Sequence, residues 1–292
     1  MLNFNVEAIL GHSLISRRKM HMRDTVFFVN AFATDYYKGN TAAVVIPSAV
    51  PEEKQMQALA AEFGFSETAF LQKLDNSFYH IRWFTPETEV PLCGHATLAS
   101  AQALFSSLEQ NSREIRFQSL SGILAARKVE EDIELDFPSE PLIPHQISEE
   151  VLKALGCPTP AEVLLASRSR NLVLVFSSGQ QVLDLSPDFA NLARLKGMPF
   201  FGIAATAQTD DGYICRYFAP WEGINEDPVT GSAQTFLAPF WSMRLRRNIL
   251  RGYQASKRGG GFEVEVLEDR ARIRGRAFIY MQGILDPSWR LP

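Results

Sequence analysis

Two stretches of this sequence pair chemically active residues with the start of an apolar helix. The first is Glu226-Asp227-Pro228-Val229-Thr230-Gly231-Ser232-Ala233, running on into an apolar segment from Gln234 to Trp241. The second, Glu89-Val90-Pro91-Leu92-Cys93-Gly94-His95-Ala96-Thr97, repeats the design upstream and runs on to Phe105. Backbone N–H groups at a helix start have no partner within the helix, and the dipole adds positive potential there, so each start suits an anion. Two such starts point to one anion site between two related halves. A third stretch, Phe65-Ser66-Glu67-Thr68-Ala69-Phe70, offers a carboxyl among apolar neighbours. Burial raises a carboxyl pKa toward the working pH, where the group can take, hold and return a proton. By residue type alone, Glu67 is equally a surface glutamate beyond a helix end.

The other candidates each carry a plain alternative. His95 at a helix start is expected as a neutral imidazole, because the dipole disfavours the charged form; it is equally a hydrogen-bonded core histidine. Gly94, Gly231 and Ser232 offer backbone N–H groups, and Ser232 a hydroxyl, to carboxylate oxygens. Such donors also stabilise charge that spreads onto the carboxylate when an α-proton leaves. Glu226 and Asp227 are either a working pair or a solvated acidic loop. Cys93 and His95 stand two apart on one turn, a poor nucleophile–base geometry with no orienting third residue, so Cys93 reads as a small packed residue. Lys257-Arg258-Gly259-Gly260 could bring a cation near the site, or simply face solvent.

These residues need a frame. The chain has 292 residues, 46% hydrophobic and 21% charged, with net charge −4. That suits a globular protein with two medium domains and argues against nucleic acid as a partner. Three scattered cysteines without CxxC spacing imply a reducing, cytoplasmic setting with no disulfide framework and no zinc site. No apolar run reaches the roughly 20 residues of a membrane span. Strands are expected over 24–32, 42–46, 65–71, 78–84, 114–118, 123–128, 133–137, 163–166, 172–176, 200–206, 214–218, 262–267, 271–274 and 277–282. Helices are expected from Pro51 to Phe63, from Ala96 to Phe105, after Ser148, after Pro187, and beyond Ser232, where Pro239 should kink or break the helix. Many strands with one apolar helix per half give an α+β fold rather than a doubly wound sheet. Residues 1–23 are set aside as an N-terminal extension, expected to be disordered, because they show no ordered targeting signal.

The motifs Gly39-Asn40-Thr41-Ala42-Ala43, Ser66-Glu67-Thr68, Leu92-Cys93-Gly94-His95-Ala96-Thr97, Glu226–Ala233 and Ser256-Lys257-Arg258-Gly259-Gly260 occur in one order. Together they resemble the phenazine-biosynthesis (PhzF-like) isomerase family within the diaminopimelate epimerase fold, over residues 24–285. Arg216-Tyr217-Phe218-Ala219-Pro220-Trp221 leans toward the branch containing the animal phenazine-biosynthesis-like domain proteins. The resemblance implies two similar domains, each a rolled sheet around a central helix, with the active site in the cleft between them. Residues 24–128 plus 278–292 would form the first and 129–277 the second.

The resemblance further implies a homodimeric, cofactor-independent isomerase acting on a small carboxylate, of the trans-2,3-dihydro-3-hydroxyanthranilate isomerase type, with no metal. In that reading Glu67 is the proton shuttle. Asp227 is the second acidic residue that holds substrate, His95 and Ser232 contact it, and Asn40 reaches the cleft. Gln234 departs from the family pattern, which often has histidine there, so the substrate need not be the phenazine precursor. Two other readings stay open: a binding protein that keeps the cleft without turnover, and an amino-acid epimerase with Glu67 and Asp227 as opposed bases.

Overall fold

The computed structural model describes residues 23–290; the extension expected over 1–23 falls, up to residue 22, outside the described residues. Strands β1 (Thr25–Ala31), β2 (Asn40–Ile46), β3 (Glu67–Asp75), β4 (Phe78–Phe84), β5 (Glu89–Val90), β6 (Glu114–Ser119), β7 (Gly122–Val129) and β8 (Asp132–Pro138) make the first half. Helix α1 (Glu53–Phe63) crosses between β2 and β3, and α2 (Gly94–Ser107) between β4 and β6. The second half holds β9 (Leu142–Pro144), α3 (Glu149–Leu155), β10 (Glu162–Ala166), β11 (Asn171–Val175), α4 (Gly179–Leu183), α5 (Phe189–Arg194), β12 (Gly202–Gln208) and β13 (Gly212–Phe218). It continues with α6 (Gln234–Leu245), β14 (Ile249–Gln254), β15 (Gly260–Val266) and β16 (Arg270–Gly275), and the chain closes with β17 (Ala277–Ile284).

The halves share one pairing scheme. The order β1-β2-β3-β4-β6-β7-β8 runs antiparallel, parallel, antiparallel, parallel, antiparallel, antiparallel. The order β10-β11-β12-β13-β14-β15-β16 runs the same way. Each parallel pair is joined by a helical crossover, as a parallel connection requires. β8 and β16 pair with each other, and each then sends its chain into the opposite half: β9 pairs with β10, and β17 with β1. The result is an α+β fold of two similar rolled sheets, each wrapped around one helix.

The two wrapped helices are α2 and α6. Nearly every α2 residue from Gly94 to Phe105 is buried, which matches an apolar pattern on all sides. Its hydroxyls are satisfied inside the helix: Thr97 Oγ1 donates to the Cys93 carbonyl and Ser100 Oγ to that of Ala96. Alanines at 96, 99, 101 and 103 let the strands close tightly around it. Helix α1 covers the outside of the first sheet, burying Met56 and Ala60 against Phe70 and Phe84. It starts on a reciprocal Glu52–Gln55 capping box and ends on Gly64, whose φ of 65° is left-handed.

Of the kink or break expected at Pro239, the break does not occur. The helix runs unbroken from Gln234 to Leu245 with Pro239 inside it. The carbonyl that loses its partner one turn back is that of Thr235, and the Glu140 backbone N–H takes it at 3.0 Å. A donor from the crossover after β8 therefore meets the need that proline creates. Among the described residues no helix is long and apolar enough to cross a membrane.

Candidate active site

The topology brings the motifs to one place. β2 and β3 are parallel neighbours with Ala42 opposite Glu67, so Asn40 and Glu67 stand at adjoining strand starts. The start of α2 lies at the same end, with His95 in its first turn. From the other half, the loop between β13 and α6 brings Asp227, Thr230, Gly231 and Ser232 to the same point. The two glycine turns face each other closely: a Cβ added to Gly94 would lie 3.3 Å from Gly231 Cα and 3.4 Å from Ser232 N. Only glycines permit that approach of one helix start to the other.

A cleft of about 370 Å³ opens over this junction. Glu67, Cys93, Gly94, His95, Asp227, Thr230, Gly231 and Ser232 line its floor. Ser169, Asn171, Tyr217 and Trp221 form part of its wall, and Glu87 and Glu222 also border it. The lining contains no lysine or arginine. A second cavity, of about 310 Å³, lies against Phe27, Leu71 and Tyr79 and contains none of the proposed site residues.

Glu67 Oε2 lies 3.1 Å from His95 Nε2, with the Glu67 side chain 14% exposed and that of His95 5%. This oxygen accepts no well-aligned hydrogen bond. Ser66 Oγ approaches the same imidazole nitrogen at 3.3 Å, and Cys93 Sγ lies 3.5 Å from Nδ1. Asp227 is gripped on both oxygens: Asn40 Nδ2 donates to Oδ1 at 2.7 Å and Thr230 Oγ1 to Oδ2 at 2.5 Å. The second Asn40 amide hydrogen goes to the Val229 carbonyl at 3.0 Å.

The protonation pattern differs from the sequence expectation. Burial pushes the Glu67 carboxyl up, but His95 beside it, with Ser66 and Cys93, outweighs burial and holds it below its ordinary value. Burial disfavours a charged imidazole, yet Cys93 and Glu67 push the His95 pKa well above its ordinary value. The expected high-pKa glutamate and neutral histidine are thus replaced by a buried ion pair, because the two groups are in contact. The neighbours of the Glu67 carboxyl are polar; Phe65 instead packs on Phe28, and Phe70 on Phe84. Asp227 shows the behaviour expected of Glu67. Burial and the Glu67 charge raise it to about 6 against the opposing effects of His95, Thr230 and Asn40. Burial and Glu67 also push the Cys93 thiol up.

Glu226 forms a two-pronged pair with Arg216, at 2.7 and 3.0 Å, which secures the loop before Asp227. Arg258 does not line the cleft. It donates to the Gly39 carbonyl and Asn30 Oδ1 and fastens the β1–β2 turn, while Lys257 is exposed. Gln234 is buried, donating to the Thr230 carbonyl and accepting from Tyr213. Glu67, Cys93 and His95 bring ligand-type atoms within 4.8 Å of one another.

Sequence reasoning missed Gln254, at the end of β14. It donates to the Asp227 carbonyl at 2.7 Å and accepts from the Thr230 N–H at 2.9 Å. The alternation of Ile249–Gln254, buried at every second residue, was the available signal for that strand. Nothing in a neutral amide signals a role at a carboxylate.

A model of the family described as phenazine biosynthesis-like protein matches residues 29–283. An uncharacterised isomerase of Pseudomonas aeruginosa is 42% identical over 265 residues, covering 90% of this chain and 99% of that protein. The phenazine biosynthesis-like domain-containing protein 1 of Mus musculus is 36% identical over 286 residues, with the same shares of each chain. A crystal structure of a phenazine biosynthesis protein of the PhzF family from Enterococcus faecalis superposes with a TM-score of 0.84 at 40% identity, covering 91% of this chain and all of that one. A hydroxyproline epimerase from Agrobacterium vitis shares the fold alone, at 13% identity and a TM-score of 0.59. With its doubled rolled sheet and paired helix starts, the chain belongs to the phenazine biosynthesis-like family of isomerases.

Proposed function

We propose that this protein is a cofactor-independent isomerase, assembled as a homodimer, that moves a proton and a double bond within a small carboxylic acid. Glu67 is its acid/base, and Asp227, His95, Gly94, Gly231 and Ser232 hold the substrate, while Asn40, expected at the cleft but absent from its lining, holds Asp227. The observation that carries the reading is Glu67 Oε2, buried at the cleft floor beside His95 with no well-aligned hydrogen bond. Held below its ordinary pKa, Glu67 is a carboxylate and so begins as the base. It takes a proton from carbon; the C–H electron pair enters the conjugated system and reaches the substrate carboxylate. Backbone N–H groups of the Gly94 and Gly231–Ser232 turns lie where that charge collects. Glu67, now protonated and lining the open cleft where its proton exchanges with solvent, returns a proton to another carbon, and the double bond moves with no net oxidation.

Asp227 supports positioning rather than proton abstraction, because Asn40 and Thr230 already occupy both of its oxygens. That favours the isomerase over an epimerase with two opposed carboxylate bases.

The test is incubation in D₂O with a panel of small carboxylates, trans-2,3-dihydro-3-hydroxyanthranilate included, followed by NMR. Deuterium entry with wild type, absent with Glu67→Gln, is the expected result. Compounds that bind without exchange would favour the binding-protein reading instead. Light scattering at twice the chain mass is expected for the dimer.

A further inference from the structure

The role of Gln254 goes beyond this reading. Its side chain is fully buried, and its amide orientation is fixed by partners that cannot exchange roles. The Thr230 backbone N–H can only donate, so the atom 2.9 Å away must be the oxygen. The Asp227 carbonyl can only accept, so the atom 2.7 Å away must be the NH₂ nitrogen. A flipped amide would set carbonyl against carbonyl and N–H against N–H. With one amide hydrogen on the Asp227 carbonyl, the other points to Thr230 Oγ1 at 3.1 Å. The Thr230 hydroxyl accepts there, and its single proton is left for Asp227 Oδ2, 2.5 Å away.

We propose that Gln254 is a positioning residue that fixes the direction of the Thr230 O–H and, through it, keeps Asp227 a hydrogen-bonded acceptor on both oxygens. The chain of contacts is Gln254 to Thr230 to Asp227, and Gln254 touches neither cleft nor substrate; it is absent from the cleft lining. Asp227 therefore takes part as an ionised acceptor that can receive a hydroxyl or ammonium hydrogen from substrate. Without Gln254 the Thr230 hydroxyl can turn away, and burial then favours protonated Asp227. This deepens the proposed function, since it assigns the state of a residue placed there in substrate binding, but its test does not need turnover.

Several groups face Asp227. Glu67 from β3 raises its pKa, while His95 from α2, Thr230 from its own loop and Asn40 from β2 lower it. Tyr217 on β13 is itself pushed up, by burial and then by Asp227 and Glu222. Gln254 and Thr230 are uncharged, so Thr230→Val and Gln254→Met change hydrogen bonding without changing the charge around Asp227.

The experiment is carboxyl-carbon NMR titration of the full chain labelled at aspartate Cγ, with the Asp227 resonance assigned by its loss in Asp227→Asn. Thr230→Val should move the Asp227 titration up by about one pH unit, and Thr230→Ser should leave it near wild type. Gln254→Met should move it up as well, and should add nothing in a Thr230→Val background if it acts through the hydroxyl. Should Gln254→Met fail to fold, Gln254→Glu serves. Its carboxylate would draw the Thr230 proton away, so the shift should shrink to the bare charge effect once Thr230 is Val. An unshifted Asp227 in folded Thr230→Val, or fully additive shifts in the double variant, would overturn the relay. The proton-transfer reading fails separately, through deuterium exchange that survives Glu67→Gln.

Discussion

Asn40 Nδ2 donates to Asp227 Oδ1 at 2.7 Å across 187 residues of chain. The bond joins the start of β2 in one half to the loop before α6 in the other, and the same nitrogen also holds the Val229 carbonyl. It closes the base of the cleft as well as restraining a carboxylate. Asn40→Ala leaves a buried carboxylate oxygen and a buried carbonyl short of a donor. A loss of about 1.5–3 kcal/mol in unfolding free energy is expected, the range for hydrogen bonds to charged groups. Urea denaturation at pH 7.5 checks it; a loss within error of zero would mean that water replaces the amide.

Glu67→Gln should reduce proton transfer by about 10²–10⁴-fold, the usual contribution of a positioned acid/base. It also removes the carboxylate that helps raise His95, so the imidazole titration should move down. Histidine NMR and D₂O exchange read the two effects independently. An unchanged His95 titration would show that the Glu67 contact is not what charges the imidazole.

Asp227 gives a pH signature with a definite sign. Its folded pKa is raised from the ordinary 3.8 to about 6. Between those values the folded protein binds more protons than the unfolded chain, so the Asp227 contribution to stability falls as pH rises and levels off above about 6. Two units correspond to about 3 kcal/mol at most. Asp227→Asn should therefore gain on wild type by about 2–3 kcal/mol between pH 4 and 7, whatever its constant offset. Glu67, held low, works the other way: its contribution is present above the unfolded carboxylate value and is lost as pH falls through the folded one. Denaturation midpoints for wild type and variant across that range test this. A difference that stays flat with pH would contradict a raised Asp227.

Gly94→Ala should impair binding more than folding. The added methyl would meet Gly231 and Ser232 backbone atoms at 3.3–3.4 Å, a crowding the facing loop can relieve by shifting a few tenths of an ångström. A stability cost near 1 kcal/mol is expected for such overpacking. The same shift moves the N–H donors off the substrate carboxylate, so KM should rise several-fold or more. Equal KM in variant and wild type would place the anion elsewhere. Gly231→Ala is expected to be worse, since its methyl would also approach the Phe32 ring at 3.0 Å.

The sequence alone determined the elements that depend on neighbours along the chain. The apolar runs of α2 and α6, the alternating strands and the glycine turns before each helix were legible, and so was the α+β class. Those signals are local: burial on all sides needs apolar residues at every helical position, and a close backbone approach needs glycine. Resemblance to known motifs added the grouping of Glu67, His95 and Asp227.

What only the tertiary structure decided depends on distances between remote residues. Glu67 looked like the raised carboxyl from its apolar neighbours in sequence, but contact with His95 lowers it and leaves Asp227 as the raised one. Pro239 looked like a helix breaker until Glu140, nearly a hundred positions upstream, donated to the Thr235 carbonyl. Arg258 read either as a cation near the site or as a solvent-facing residue, yet it is bound to Gly39 and Asn30. Gln254 carried no chemical signal at all and lies at the back of the site. Coulomb interactions and desolvation act through space, so the charge states of this site are set by tertiary contacts, Glu67 with His95 inside the first half and Asp227 with both across the cleft, rather than by spacing along the chain.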